Sequence, residues 1–443
     1  MAEFPRIRAR CGTNTIVWSK LLIAVNALKS ARYRWTDWQE HMGLQFALTM
    51  YLVAKRDPRT REVLMDNDGP GLHTDPFAWI ILLNAKAKLA SNPKDKIFAL
   101  YGVFQELEIP LPAPDYRKDV VDVYREAVIA AIKYDKGLDI LYYVPSDHRM
   151  ADLPSWVPDW SDPGWPEGDA RSSRDYGFAA GGRGKSKWRF TDNDKKLVIS
   201  GKLIDTVIFR TEPLTATNAS EAPRQPDVLD CKTQHDADTV SELHTRAYKI
   251  FRSWLEVSLW SEAYPAEGTT KNAFRQTVTL GGRMANQNVL ADYFFKEWYR
   301  MLQVPEADHM DAFVDKLIPG RWRPVRLFRK LLTATLKMTV QSSARIVAAL
   351  GEAAVFHGWA IACCTNKCFF LTENARFGVA PDPSPVPVEA GDRIAVLGGM
   401  AQPFLLRPVE GGYRILAHVY VHGIMDGEAW PEDEADVEEI VLV

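Results

Sequence analysis

The segment Trp188-Arg-Phe-Thr-Asp-Asn-Asp-Lys-Lys-Leu-Val-Ile199 marks the point at which the chain changes from helical to β structure. Residues 188–190 and 197–199 are rich in the aromatic and β-branched side chains that are typical of strands. They flank Asp192-Asn193-Asp194, three residues that readily form turns. This pattern predicts a β-hairpin, and residues 203–209 predict another strand directly after it.

Upstream of the hairpin, residues 16–140 carry apolar side chains at helical spacing, so residues 1–150 are predicted to form a helical region. Residues 115–133 have the clearest stripe of this kind. The next unit, residues 151–215, begins with Leu153-Pro-Ser-Trp-Val-Pro-Asp-Trp160, where two prolines exclude a helix and predict an extended strap. Residues 162–187 are rich in Gly, Pro, Ser and Arg and predict an exposed, flexible loop before the first strands.

Downstream of the hairpin, helical spacing returns, and residues 216–350 are predicted to be a helical insertion. Residues 351–430 are predicted to be β-rich and to pair with the strands in 188–210; the predicted strands are 355–363, 368–371, 393–397, 404–407 and 413–421. Residues 431–443 are predicted to be a solvated acidic tail. The fold class is therefore α+β, with a small, mostly antiparallel β-sheet or barrel in the C-terminal part.

Composition excludes several classes of protein. The chain has 443 residues, of which 47% are hydrophobic and 25% charged, so it can bury a large interior and is long enough for two or three domains. Its 54 basic and 57 acidic residues give a net charge of -3, which provides no global attraction to nucleic acid or anionic lipid. No apolar run is long enough to cross a membrane or to serve as a signal peptide.

The cysteines point to a reducing compartment. There are five, an odd number for so long a chain, and three of them are Cys363, Cys364 and Cys368. Zinc binding would require four ligands at tetrahedral spacing, and buried free thiols are the alternative. We therefore expect a cytoplasmic protein with no bound metal and no cofactor.

Two basic segments suggest phosphate or nucleic-acid binding, and each also has a simpler interpretation. Residues 179–186 satisfy a loose phosphate-loop pattern, but a polar segment precedes them and a predicted strand follows, so a basic flexible loop is the alternative. Residues 321–330 hold five basic residues together with Trp322 and Phe328. A solvated helix face explains this second segment equally well, and we do not expect nucleic-acid binding.

The histidines His418 and His422 lie four residues apart near the end of a predicted strand, with Asp426 close behind. Such residues could act as acid, base or orienting group in catalysis. The alternative is that they close a turn through hydrogen bonds to the backbone. The 14 Trp, 15 Tyr and 19 Phe residues are ambiguous in a similar way, because they can fill a core or line a pocket.

Several strings, in this order and spacing, resemble the fungal heterokaryon incompatibility (HET domain) protein family. The resemblance covers most of residues 10–430 and corresponds to the region C-terminal to the HET domain. It rests on Ser91-Asn-Pro-Lys-Asp-Lys-Ile-Phe-Ala-Leu-Tyr-Gly102, Pro114-Asp-Tyr116, Val123-Tyr-Arg-Glu-Ala127, Leu153–Trp160, Phe369-Phe-Leu-Thr-Glu-Asn374, Gly391-Asp392, Pro403–Pro408, Gly412-Tyr413 and Tyr420–Glu428.

Strings of the HET domain itself are not found in the sequence, so the resemblance does not by itself imply a role in triggering cell death. The resemblance implies a companion region whose motif residues are structural. Asp95 is expected near a helix start, Trp156 and Trp160 as anchors, and Gly423 and Gly427 as turn formers. Similar proteins are found beside fungal natural-product pathways, which is an associational argument.

Two functions from different classes remain open. The first is a cofactor-independent tailoring protein of secondary metabolism, possibly a pericyclic cyclase, that folds an apolar small-molecule substrate by shape and a few hydrogen-bond donors. Its candidate catalytic residues, chosen because they lie at the ends of elements, are Tyr101, Trp156, Trp160, His418 and His422. The second is a non-catalytic interaction or regulatory protein of the HET family, for which we expect a filled interior and an exposed apolar patch.

Overall fold

The fold is described here from a computed structural model. It describes residues 8–11, 14–17, 78–86, 89–106, 108–144, 150, 152–161, 177–215, 234–260, 264–266, 268–282, 289–303, 352–381 and 386–443. The helical stripes predicted before residue 78, most of the loop 162–187 and the basic segment 321–330 lie outside these ranges.

The first described element is a small antiparallel hairpin, β1 (Arg8–Cys11) with β2 (Asn14–Val17). It lies within the region 1–150 that was predicted to be helical, so that prediction was wrong for these residues. Three short to medium helices follow: α1 (Ala78–Lys86), α2 (Asp95–Phe98) and α3 (Tyr101–Glu106).

Helix α4 (Val120–Asp135) organises this helical layer. Its predicted stripe is buried against the core, with Tyr124 and Val128 fully inaccessible to solvent. The Asp135 carboxylate, at the C-terminal end of α4, accepts the N–H groups of Ala78 (2.7 Å) and Trp79 (3.0 Å) at the start of α1. It therefore satisfies two of the amides that a helix start leaves unpaired, and ties the two helices together.

The predicted hairpin is present as β3 (Trp188–Thr191) and β4 (Lys196–Arg210). Asp192, Asn193 and Asp194 all adopt positive φ, between 50° and 61°, a conformation that Asp and Asn tolerate better than most residues. Strand β4 continues for 15 residues and includes the separate strand predicted at 203–209. Gly201 lets it continue, because a Cβ there would lie 2.7 Å from the Val396 carbonyl oxygen.

Strand β4 closes a five-stranded barrel. One part of it pairs with β11 and another with β7, both antiparallel. Strands β7–β8 and β8–β9 are antiparallel, and β9 meets β11 in parallel at Tyr413 and Leu442. The strands that follow β4 in the chain are β5 (Lys367–Thr372), β6 (Phe377–Pro381), β7 (Arg393–Leu397), β8 (Phe404–Val409), β9 (Gly412–His418), β10 (Tyr420–Val421) and β11 (Glu438–Leu442).

The C-terminal end of β4 belongs to a second part of the sheet, in the order β4–β5–β6–β10. The register shifts between Leu203 and Asp205 and again between Val207 and Phe209. Bulges of this kind bend a strand and increase its twist, which allows β4 to leave the barrel and join β5.

Both faces of the barrel strands are buried. Along β7, Ala395 and Leu397 join a cluster with the helical layer, whereas Ile394 and Val396 join a second cluster. Because successive side chains of a strand point to opposite faces, the barrel strands read as nearly continuous apolar runs.

The region 216–350 contains α5 (Gln234–Ser258), α6 (Thr270–Val278) and α7 (Val289–Leu302). They are followed by α8 (Glu352–Cys364), which replaces the strand predicted at 355–363. That prediction was wrong because α8 is apolar on all sides, and periodicity alone does not separate such a helix from a buried strand. The helix buries Phe356 and Ala360, one turn apart, while Val355 and Trp359 are partly exposed.

The prediction of a solvated acidic tail at 431–443 was wrong. Within it, β11 pairs along its length with β4, and Ile440 and Leu442 are buried. The alternating Ile440-Val441-Leu442 was hidden by the acidic residues before it, whose side chains at Glu438 and Glu439 are exposed.

The α+β class is confirmed: helices combine with a mostly antiparallel sheet in the C-terminal part. The division of the chain into domains stays a prediction. Among the helices described, none has both the length and the apolar character needed to cross a membrane.

Candidate functional site

The sequence strings that carry the family resemblance meet in the helical layer. The Asn92 side chain accepts the N–H of Lys94 (3.1 Å), and the Lys94 ammonium donates to the backbone oxygen of Tyr116 (2.8 Å). The Tyr116 hydroxyl donates to Asp95 (2.6 Å), and the Phe98 ring meets the Tyr116 ring edge-on at 5.0 Å. Two strings separated in the sequence are thus joined, and the Asp95 carboxylate keeps the pKa of Tyr116 raised.

Lys96, in the same string, has a buried structural role. Its ammonium donates to the backbone oxygens of Lys86 (2.7 Å) and Ala85 (3.4 Å), at the C-terminal end of α1. A cation is favourable there because carbonyl oxygens at a helix end are unpaired and carry the negative end of the dipole. Burial lowers the pKa of Lys96.

Trp160 and Tyr124 connect two further strings. The Tyr124 hydroxyl donates to the Pro93 carbonyl (3.0 Å), and its ring meets Trp160 edge-on at 5.1 Å. The Trp160 indole N–H donates to the Leu82 carbonyl (2.9 Å), and its side chain is fully buried. Burial, with the Asp159 charge, raises the pKa of Tyr124. Both donors are therefore occupied by the protein's own backbone.

Trp156 anchors the strap to the barrel. It is fully buried, and its indole N–H donates to the Lys195 carbonyl (3.1 Å) while its ring packs against Phe190. Next to it, Ser155 donates its N–H to the Val443 carbonyl (2.8 Å) and accepts the N–H of Ile415 (3.1 Å). These contacts support the anchor role for the strap that the resemblance implies.

Tyr101, the first residue of α3, is half-buried in the helical layer. His418 and His422 instead lie at the ends of barrel and sheet strands, and His422 contacts Tyr264 in the helical insertion. The candidate donors are therefore distributed over different parts of the molecule, and their joint role in a single site stays a prediction.

His418 is the most unusual of the candidates. It ends β9 opposite Phe404, and its ring meets the edge of Tyr142 at 5.3 Å. Its Nδ1 atom is inaccessible to solvent and has no hydrogen-bond partner in the described part of the chain. Burial, with the Lys367 charge, lowers the pKa of His418 to about 4, against an opposing hydrogen bond to the Tyr142 backbone. The imidazole is thus neutral at pH 7.

This pKa predicts a pH dependence of stability. In the unfolded chain, the imidazole takes up a proton near pH 6.5, whereas the folded protein resists protonation down to about pH 4. The stability contributed by neutral His418 is therefore complete above pH 6.5 and is lost as the pH falls toward 4. We expect His418→Gln to reduce the loss of unfolding free energy between pH 7 and pH 5 by about 1–2 kcal/mol. Urea unfolding at the two pH values measures it.

Asp135 acts in the opposite direction in an overlapping range, because burial raises its pKa to about 6. Its contribution to stability decreases as the pH rises from about 4 to 6. The His418→Gln profile is therefore compared with that of the parent protein. Identical pH dependence in both proteins would contradict the assignment.

His422 forms a closed pair with Tyr264. The Tyr264 hydroxyl donates to the His422 backbone oxygen (3.2 Å), and His422 Nδ1 lies 3.2 Å from the same hydroxyl. Burial lowers the pKa of His422, with Glu428 acting against it. The turn that follows uses Gly423 and Gly427 at φ of 83° and 98°, so both glycines form the turns that the resemblance implies.

The loop 179–186 does not present its first amides for phosphate binding. The N–H groups of Ala179, Ala180 and Gly181 donate to the carbonyls of Met425, Ala401 and Met400. A Cβ at Gly181 would lie 1.8 Å from the Leu397 carbonyl oxygen, so this glycine serves close packing. The segment then leads into β3 and not into a helix, which a phosphate loop requires.

Cys363, Cys364 and Cys368 are free and buried. Cys364 donates its thiol to the Val278 carbonyl at 3.3 Å, and burial raises its pKa well above the ordinary value. The described residues include no group of three or more His, Cys, Asp or Glu placed to hold a metal ion.

An exposed apolar surface lies where β4 ends beside the end of α5. We call Ile208, Phe209, Leu259 and Trp260 the aromatic patch; these side chains are 49%, 38%, 55% and 60% exposed. The rings of Phe209 and Trp260 pack against each other at 4.9 Å. The bulge at Ile208 places two successive residues of β4 at the surface, where a regular strand would alternate.

The aromatic patch was not predicted from the sequence. Residues 207–209 read as one apolar strand, and Trp260 falls just beyond α5. A signal was nevertheless present. Three consecutive apolar residues leave at least one on the outer face of a strand, and two apolar residues after a helix end have no stripe to join.

Comparison with protein families finds a match to the Het-6 beta-barrel domain at residues 334–443. This confirms the resemblance for the C-terminal region and is consistent with a HET-family protein; the HET domain itself is not shown. The strands β5 to β11 lie in the matched range, and β4, which closes the barrel, comes from outside it. No curated protein and no solved structure matches the chain.

Proposed function

We propose that this protein, with its Het-6 beta-barrel domain, is a non-catalytic interaction or regulatory protein related to heterokaryon incompatibility. The observation that carries the proposal is the aromatic patch. Its central pair, Phe209 and Trp260, exposes aromatic surface of the kind that dominates binding energy at protein interfaces. An apolar cluster of this kind on the surface of a folded protein indicates a binding role.

The use of hydrogen-bond donors also supports this proposal over a cyclase. A shape-directed cyclase needs donors that face a guest molecule. Trp156 and Trp160 are fully buried and donate to backbone carbonyls, so their N–H groups are engaged within the fold. The Tyr264 hydroxyl and His422 Nδ1 lie within hydrogen-bond distance of each other. A cofactor-independent cyclase of secondary metabolism has no observation of this kind in its favour.

A genetic experiment tests the proposal. The gene is deleted in its native host, and the strain is complemented with the parent allele or with Trp260→Glu. We expect deletion to change the incompatibility reaction with a tester strain and to leave the metabolite profile unchanged. The parent allele should restore the reaction and Trp260→Glu should not, since a charge at the centre of the patch opposes desolvation on binding.

Leu89→Glu is the matched control, because Leu89 is 94% exposed and lies outside the aromatic patch. It adds the same charge to the surface and should complement fully. A deletion strain that loses or reroutes a metabolite, with an unchanged incompatibility reaction, would contradict the proposal in favour of the tailoring function.

A further inference from the structure

The aromatic patch has the size and shape of an interface centre. Ile208 and Phe209 come from the end of β4, and Leu259 and Trp260 come from the turn after α5. Trp254 fixes the two elements relative to each other, because its indole N–H donates to the Glu212 carbonyl at 3.3 Å. The patch is therefore held on a rigid support, which reduces the entropy lost on binding.

The charges at the rim indicate what kind of partner fits. On the strand side, Glu212 pairs with Arg246 (3.2 Å), and on the helix side Glu256 pairs with Arg252 (3.4 Å). All four side chains are between 37% and 66% exposed, so they remain available to a second molecule. The rim thus carries two positive and two negative groups in alternation, and has no net attraction for a polyanion or an anionic membrane.

We propose that the aromatic patch pairs with a second copy of this chain about a two-fold axis. The inference rests on the proposed interaction function and names its partner. A two-fold axis places each patch against itself, so a surface must be complementary to its own image. An alternating, neutral rim meets this condition, because rotation can bring an arginine of one copy to a glutamate of the other. The apolar centre then stacks aromatic rings across the axis.

The whole-chain charge permits this association, since a net charge of -3 on 443 residues produces little repulsion between copies. Four side chains and four rim charges make a contact at the small end of specific interfaces, below about 1,200 Å² in total. We therefore expect a reversible dimer with a dissociation constant in the micromolar range, roughly 1–100 μM.

Sedimentation equilibrium of the full chain over a concentration series tests the proposal. The chain mass is 50.0 kDa, and we expect the mean mass to rise with concentration toward twice that value. Trp260→Glu and, separately, Phe209→Ser should each weaken the dimer at least tenfold. Leu89→Glu should behave as the parent. Far-UV circular dichroism and thermal unfolding establish that each variant is folded.

A parent protein that stays at the monomer mass at the highest concentration overturns the inference. Equal dimerisation of the parent and both patch variants also overturns it, because the contact would then lie elsewhere. In either case the complementation experiment still decides the proposed function: loss of the incompatibility reaction with Trp260→Glu would indicate that the patch binds a different protein.

Discussion

Trp160→Ala is expected to lower the free energy of unfolding by about 3–5 kcal/mol, the range for truncating a buried aromatic side chain. Trp160 is fully buried between the strap and the helical layer. The substitution removes its packing against Tyr124 and leaves the Leu82 carbonyl without the indole donor. Chemical denaturation, with the midpoint and slope both fitted, measures the loss.

Two variants separate the causes. Trp160→Phe keeps an aromatic ring and loses the hydrogen bond, so it should retain part of the lost stability. Trp359→Ala is the matched control, because Trp359 is 36% exposed on α8 and should cost far less. Equal losses at positions 160 and 359 would contradict the anchor role.

Arg407→Ala is expected to destabilise the fold by about 3–5 kcal/mol, because it leaves a buried carboxylate without its cation. Asp392 is 1% exposed and accepts two hydrogen bonds from Arg407, at 2.8 and 2.9 Å. The same guanidinium donates to the Pro387 carbonyl at 2.7 Å and thereby holds the loop before β7. Asp392 itself accepts the N–H of Glu389. Denaturant unfolding again provides the measurement.

Arg407→Lys should fall between the parent and Arg407→Ala, since lysine keeps the charge and loses the two-pronged geometry. Arg189→Ala is the control for an exposed ion pair. Arg189 pairs with Glu439 across β3 and β11 at the surface, and its loss should cost at most about 1 kcal/mol. A comparable loss from Arg407→Ala and Arg189→Ala would show that the buried pair contributes no more than a surface one.

Local chemistry accounts for the parts of the fold that the sequence predicted. Asp192, Asn193 and Asp194 specify the hairpin through their own turn preferences, and α4 follows from its apolar stripe. Barrel closure is different, because β4 and β11 are separated by more than 200 residues and their pairing has no local signature. The same is true of the bulge that exposes Ile208.

The site was harder to predict than the fold. The motif strings were correctly expected to have structural roles, but their contacts, such as Lys94 and Asp95 on Tyr116, join segments that only the folded chain brings together. Polar and aromatic residues drew attention to His418 and His422, although a surface made of apolar residues carries the stronger functional observation. Exposure is a property of the packed structure and cannot be read from residue type alone.

The account depends most on the aromatic patch acting in place of a catalytic centre. The direct test is complementation of the deletion strain, read as the incompatibility reaction, with two alleles: Trp260→Glu, and the combined replacement Tyr101→Phe, His418→Gln and His422→Gln. We expect the combined allele to restore the reaction and the Trp260→Glu allele to fail. Failure of the combined allele together with full restoration by Trp260→Glu would contradict the account.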